Sequence, residues 1–211
     1  MPTGARRWLV AVLLTYAVVL ASAPGADGRA RRAVKTTDIC YDVNRPIPDE
    51  GRVGDFIELK SPTLPLANGS TVLDTDARVR IVHPAVGQLD VALVGPIGVM
   101  MPLSFRNGGD GDDFGSGPTD CGASFAVFDD EAATPIQAIT PAAAPFAGSF
   151  RPEGALSVMD TNWADGLWRF YVDDTMAGNQ GTVEAIGLQI TYRCIVGRKR
   201  CGKHHPRRRH R

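Results

Sequence analysis

The sequence predicts an all-β domain, a sandwich or barrel of about eight strands, on three observations. Helical periodicity is almost absent along the body of the chain. Short runs rich in Val, Ile, Leu and aromatic residues alternate there with Gly, Pro and Asp punctuation. Roughly 160 residues lie between two charged ends, enough for one domain with a real core.

The first element is a leader. Arg6 and Arg7 precede an apolar run from Trp8 to Ala23 that only Thr15 and Ser22 interrupt. The run is shorter than the ~20 residues of a membrane-spanning helix and ends in Ala21-Ser22-Ala23, which reads as a cleaved secretion signal over residues 1–23. A basic linker follows over 24–38, then the domain over 39–195, then a basic disordered tail over 196–211. The expected location is extracellular, and the expected mature protein is a monomer without a transmembrane segment.

Within the domain, Arg78 to His83 alternates with Val79 and Ile81 on one face, and Leu89, Val91 and Leu93 form a second alternating set. Gly95-Pro96-Ile97-Gly98 suits a tight turn, so Leu89 to Val94 and Val99 to Phe105 read as a hairpin. Phe125 to Phe128 is a short strand. Trp168, Phe170 and Val172 share one face of a later strand, and Ile186, Leu188, Ile190 and Tyr192 share one face of the last.

The formal net charge of zero conceals a division. Ten basic residues stand against 22 acidic ones between Ala33 and Val196, a balance near −12, while eight of the 23 Lys and Arg lie between Arg198 and Arg211. Such a body avoids nucleic acid and anionic membranes unless the tail recruits them, and it attracts divalent cations. The tail is a candidate for contact with a glycan or another anionic surface.

Four cysteines, Cys40, Cys121, Cys194 and Cys201, suit two disulfides in an oxidising compartment. Three pairings exist. A Cys40–Cys194 bridge between the first and last strands is favoured, with Cys194–Cys201 as a short-loop alternative. No Cys-x-x-Cys spacing is present to suggest zinc.

The stretch "RNGGDGDDFGSG" at 106–117 is either a solvated loop or a cation site. Counted from Asp110 as an EF-hand loop, it puts Phe114 at position five and Cys121 at position twelve, where oxygen ligands are required. The nonapeptide of parallel β-rolls fits Gly108 to Asp113 better, but a second copy is missing.

The chain also carries "IPDEG" at 47–51, "RIVHPAVGQLDVALVGPIG" at 80–98, "FDDEA" at 128–132, "PFAGSFRPEGALS" at 145–157 and "NWADGLWRFYVDDTMAGNQGTVEAIGLQIT" at 162–191. With "RNGGDGDDF" at 106–114, this ordered series resembles the P domain, or Homo B domain, over roughly residues 40–193. That module follows the catalytic domain in kexin and furin-like subtilisin proteases and occurs in bacterial secreted proteases. The resemblance implies a jelly-roll-like, galactose-binding-like β-sandwich with no catalytic residues of its own, one that packs against a subtilisin domain, supports its folding and influences its calcium and pH dependence. Val86-Gly87-Gln88 departs from the Arg-Gly-Asp triplet of some relatives, so integrin-type recognition is not carried over. In the family the glycine-rich stretch is a long loop between strands. A fold that returns Asp110, Asp112 and Asp113 toward Asp129, Asp130 and Asp173 would create a calcium cluster.

Catalysis is not expected. His83 is the only histidine before the tail, and neither a Gly-x-Ser-x-Gly nor a subtilisin-type serine motif accompanies it. The function this predicts is an accessory or stabilising module for a subtilisin-like serine protease on another chain. The alternative is a calcium-dependent adhesion or glycan-binding module. Asn68 in Asn68-Gly69-Ser70 is a candidate glycosylation site, and Arg32, ending Arg29-Ala30-Arg31-Arg32, is a candidate processing site.

Overall fold

The computed structural model describes residues 32–49, 57–59, 66, 69–195 and 201. The expected secretion signal, Asn68 and most of the basic tail lie outside these residues. Among the described residues nine strands form two sheets: β1 (Arg32–Ile47), β2 (Ile57–Leu59), β3 (Thr71–Val82), β4 (Leu89–Val94), β5 (Met100–Phe105), β6 (Ala126–Phe128), β7 (Gly148–Phe150), β8 (Trp168–Asp174) and β9 (Gly181–Ile195). The order is β1-β9-β3-β6-β7 in one sheet and β2-β8-β4-β5 in the other. All pairs are antiparallel except β6 with β7. The β-sandwich expected from the alternating runs is therefore the fold. Among the described residues no helix is long and apolar enough to cross a membrane.

Period-two alternation sends one set of side chains from each sheet into the shared core. Val79 and Ile81 of β3 and Ile186, Leu188 and Ile190 of β9 come from the first sheet. Val91 and Leu93 of β4, Leu103 of β5, and Trp168, Phe170 and Val172 of β8 come from the second, all at most 2% exposed. Trp168 also donates its indole N–H to the Ala164 carbonyl at 3.1 Å, so its one polar atom is satisfied inside. The β4–β5 hairpin turns as expected, with Gly98 N–H donating to Gly95 O at 2.9 Å and Gly98 at φ 79°.

Two expectations are corrected. β1 begins at Arg32, inside the range 24–38 expected as linker, and pairs with β9 from Arg32↔Ile195 to Ile47↔Gly181. Ala33, Ile39, Tyr41 and Val43 pack on the core from this strand, a pattern that the intervening polar residues mask. The favoured Cys40–Cys194 bridge is not formed. Cys40 lies opposite Gly187, whereas Cys194 lies opposite Ala33, seven residues earlier on β1. At about 3.3 Å per residue that offset far exceeds disulfide reach. The bridges are instead Cys40–Cys121 and Cys194–Cys201.

Candidate functional site

The glycine-rich stretch runs beside β3 on the edge away from β9, and residues 118–121 after it pass over the outer face of the five-stranded sheet to β1. Phe114 exchanges backbone hydrogen bonds with Ile81 at 2.9 and 3.0 Å, so the loop lies against β3 as an isolated bridge. Asp113 N–H donates to the His83 carbonyl at 3.0 Å. Gly87 N–H donates to Gly109 O at 2.9 Å, and a Cβ on Gly87 would stand 2.6 Å from that oxygen. Glycine is required there because backbone meets backbone. The Cys40–Cys121 disulfide and the hydrogen bond from Cys121 N–H to Asp42 at 2.8 Å fasten the far side of the loop to β1.

This cover buries charged groups that a strand pattern alone would place in water. Arg80 points outward from β3 yet is only 5% exposed. Its Nη1 donates to the carbonyls of Ile81 and Gly115 at 3.2 Å and meets Asp113 Oδ2 at 3.1 Å. One cation thus organises the loop, since a buried guanidinium needs acceptors on every side. Neighbouring Arg78 pairs with Asp38, lies over the Phe125 ring at 5.2 Å and crosses Gly187, where a Cβ would meet both Arg78 and the Ile39 carbonyl.

His83, expected to be structural, is wholly buried beside Asp174, itself 2% exposed. Ala85 N–H donates to His83 Nδ1 at 3.1 Å, so in the neutral ring the proton is on Nε2, which donates to Asp174 Oδ2 at 3.3 Å. Both ring nitrogens are engaged and the ring has no access to solvent. It is not placed to take a proton from a nucleophile. Its backbone N–H donates to Asp113 Oδ1 at 2.9 Å, which links strand, loop and β8 in one knot.

The six carboxylates singled out by sequence do not converge. Asp110 and Asp112 are exposed at the loop, while Asp113 is held by Arg80 and His83. Asp129 accepts from Glu131 N–H at 2.7 Å, and Asp130 accepts from Leu156 and Ser157 N–H at 2.9 and 2.8 Å. Asp173 accepts from the Tyr171 hydroxyl at 2.9 Å in the other sheet, opposite Asp90. Among the described residues no three His, Cys, Asp or Glu side chains are grouped to hold a metal ion. The named set therefore does not fit calcium.

A different acidic group, missed in the sequence, forms where β3 passes the end of β6. Burial, and then Asp74, Asp129, Glu131 and Asp130, push the Asp76 carboxyl up from 3.8 to about 7. Burial together with Asp74 and Asp130 raises Asp160 as well. Asp74 and Asp76 stand two apart on a strand, a visible signal. The approach of Asp129 to Glu131 follows only from the register Ala77↔Phe128, which ends just before Asp76. In the second sheet, burial raises Asp90 against the opposing effect of Arg106, whose Nε lies 3.5 Å away, with Asp173 and Glu153 adding to the rise.

At the start of β3, next to Asp74, the outer face carries a groove of about 280 Å³ bordered by Arg32, Thr71, Leu73, Thr161, Arg193 and Ile195. Sequence reading passed over it, because its residues come from three strands and a turn.

No family model matches the sequence, and no curated protein matches it. Among solved structures the chain is similar to a serine protease of Aeromonas sobria, at 12% identity and a TM-score of 0.44, over 75% of this chain and 27% of that one. It is also similar to the Aeromonas sobria serine protease determined with the chaperone, at 12% identity and a TM-score of 0.43, with the same coverage. The chain spans about 27% of the length of the solved chains it matches.

Proposed function

We propose that this chain is a secreted, non-catalytic module of the P/Homo B type that stabilises a subtilisin-like serine protease carried on another chain. The observation that carries the reading is the buried knot around His83. The motifs behind the resemblance are far apart in sequence, yet they supply its partners: Asp113 from "RNGGDGDDF" and Asp174 from "NWADGLWRFYVDDTMAGNQG". Gln88, beside it, accepts at its carbonyl from Thr175 N–H at 2.9 Å and at its side chain from Asn179 at 3.0 Å. A motif series whose members hold one another in place is what a folding module needs, and none of these residues is spent on chemistry. The engaged, buried imidazole supports the non-catalytic part of the reading.

The test combines the purified full chain with a secreted subtilisin-like protease. Co-elution and a slower thermal inactivation of the protease are expected. Absence of both across the secreted proteases of the source cell overturns the partner reading. Peptide hydrolysis by the chain alone, lost in His83→Ala, overturns the non-catalytic reading. The calcium-dependent adhesion alternative draws no support from the geometry, because among the described residues its six carboxylates form no common group.

A further inference from the structure

We propose that the groove at the start of β1 and the end of β9 binds an acidic peptide segment, one in which a carboxylate side chain neighbours an aliphatic one. The inference is independent of the protease reading. The register pairs Arg32 with Ile195, Val34 with Arg193, and Arg193 with Thr71. Residues directly opposite in a sheet share a face, so two guanidiniums, two aliphatic side chains and a hydroxyl stand together on the outer face of the sheet. Val34 is 60% exposed and Ile195 43%, and Trp163, bridged to Thr71, is 65% exposed. Neither Arg32 nor Arg193 has an ion-pair partner among the described residues.

The ligand class follows from these walls. A guanidinium fork matches a carboxylate with two parallel hydrogen bonds, and Leu73 with Ile195 offers an apolar surface beside it. Basic residues adjoin the groove in sequence on both sides: Arg29 and Arg31 before Arg32, and Arg198, Lys199 and Arg200 before Cys201, which is bonded to Cys194 at the groove. Asp74 lies opposite Thr191, two residues before Arg193 on β9, so it stands on the same outer face just beyond the groove. The arginines therefore form a short cationic site bounded by an anionic group. A uniformly anionic polymer such as a sulfated glycan or a nucleic acid would run on toward that carboxylate and leave its charges against apolar walls. A peptide places its carboxylates at the arginines and its aliphatic side chain between.

The experiment is an amide-shift titration of the ¹⁵N-labelled full chain with the blocked peptide acetyl-Glu-Leu-Glu-Leu-Glu-amide. Saturable shifts are expected at Gly69, Thr71, Leu73, Thr161, Arg193 and Ile195, with affinity falling at least about tenfold in Arg32→Gln/Arg193→Gln, the loss of two charge-assisted contacts. The wild type should ignore the same peptide with Lys in place of Glu, a control that does not depend on any variant folding. Absence of saturable shifts, shifts elsewhere on the sandwich, equal binding of the Lys peptide, or tighter binding of a heparin oligosaccharide at these amides overturns the proposal.

Discussion

Asp76→Asn should stabilise the protein, with a gain that grows as pH rises from 3.8 and is complete above about 7. The folded carboxyl titrates at about 7 against 3.8 for the free group, chiefly through burial and then through Asp74, Asp129, Glu131 and Asp130. A raised carboxyl pKa means that the folded state holds its proton more tightly than the unfolded state. Stability is therefore highest at low pH and falls as pH rises from 3.8 to about 7. At about 1.4 kcal/mol per pH unit the raw cost of ionisation is about 4 kcal/mol. The group is only part-buried, and screening there reduces the cost to about 1–2 kcal/mol. Asparagine keeps the shape and has no charge. Urea unfolding of the full chain with disulfides intact, at pH 8 and pH 4, should show the variant more stable by that amount at pH 8 and within a few tenths of a kcal/mol at pH 4. In melting temperature the gain at pH 8 corresponds to about 3–6 °C for a domain of this size. Equal effects at both pH values, or a variant less stable at pH 8, would refute the electrostatic argument.

The neighbouring acids behave differently. Asp130 accepts two backbone N–H groups at the turn of residues 156–159, so Asp130→Asn should lower stability by about 1–2 kcal/mol, equally in calcium and in chelator. Thermal melts in both buffers decide this, and a calcium-dependent difference would restore the cation reading of the loop. Arg80→Leu should cost about 3–5 kcal/mol, because it leaves Asp113 and several carbonyls buried without a donor; Arg80→Lys should recover only part of that in urea titrations. Loss of the Cys40–Cys121 link in a double Ser variant should destabilise by about 4 kcal/mol, against about 2 for Cys194–Cys201, since the first closes 81 residues and the second 7. Equal losses for the two bridges would show that strand pairing, not loop closure, sets their contribution.

Alternation was enough to read β4, β8 and β9. Leu89, Val91 and Leu93, like Trp168, Phe170 and Val172, announce a buried face at every second residue, and the structure places all six inside. The glycine-rich stretch was legible as a loop, but not the strand it runs beside. Nothing local marks Arg80 as the cation beneath it, because an arginine on an alternating strand reads as solvent-facing. The disulfide partner of Cys40 was hidden for the same reason: Cys121 reaches it only once the loop has folded back across β9 and β1. The six aspartates illustrate the limit most directly. An expected return of the glycine-rich loop grouped them, whereas Asp113 is held by Arg80 and Asp173 by Tyr171, and Asp129 and Asp130 crowd Asp76 instead.

By itself the sequence determined the all-β class, the core faces, the hairpin turn and the requirement for two disulfides, because each depends on neighbours within a few residues and on the period-two geometry of a strand. Tertiary structure alone decided which cysteines meet, which charges are buried, where carboxylates crowd, and that Arg32 and Arg193 flank a groove. Those outcomes depend on strand register and loop path, which bring together residues far apart in the chain, as Cys40 and Cys121 are by 81 positions.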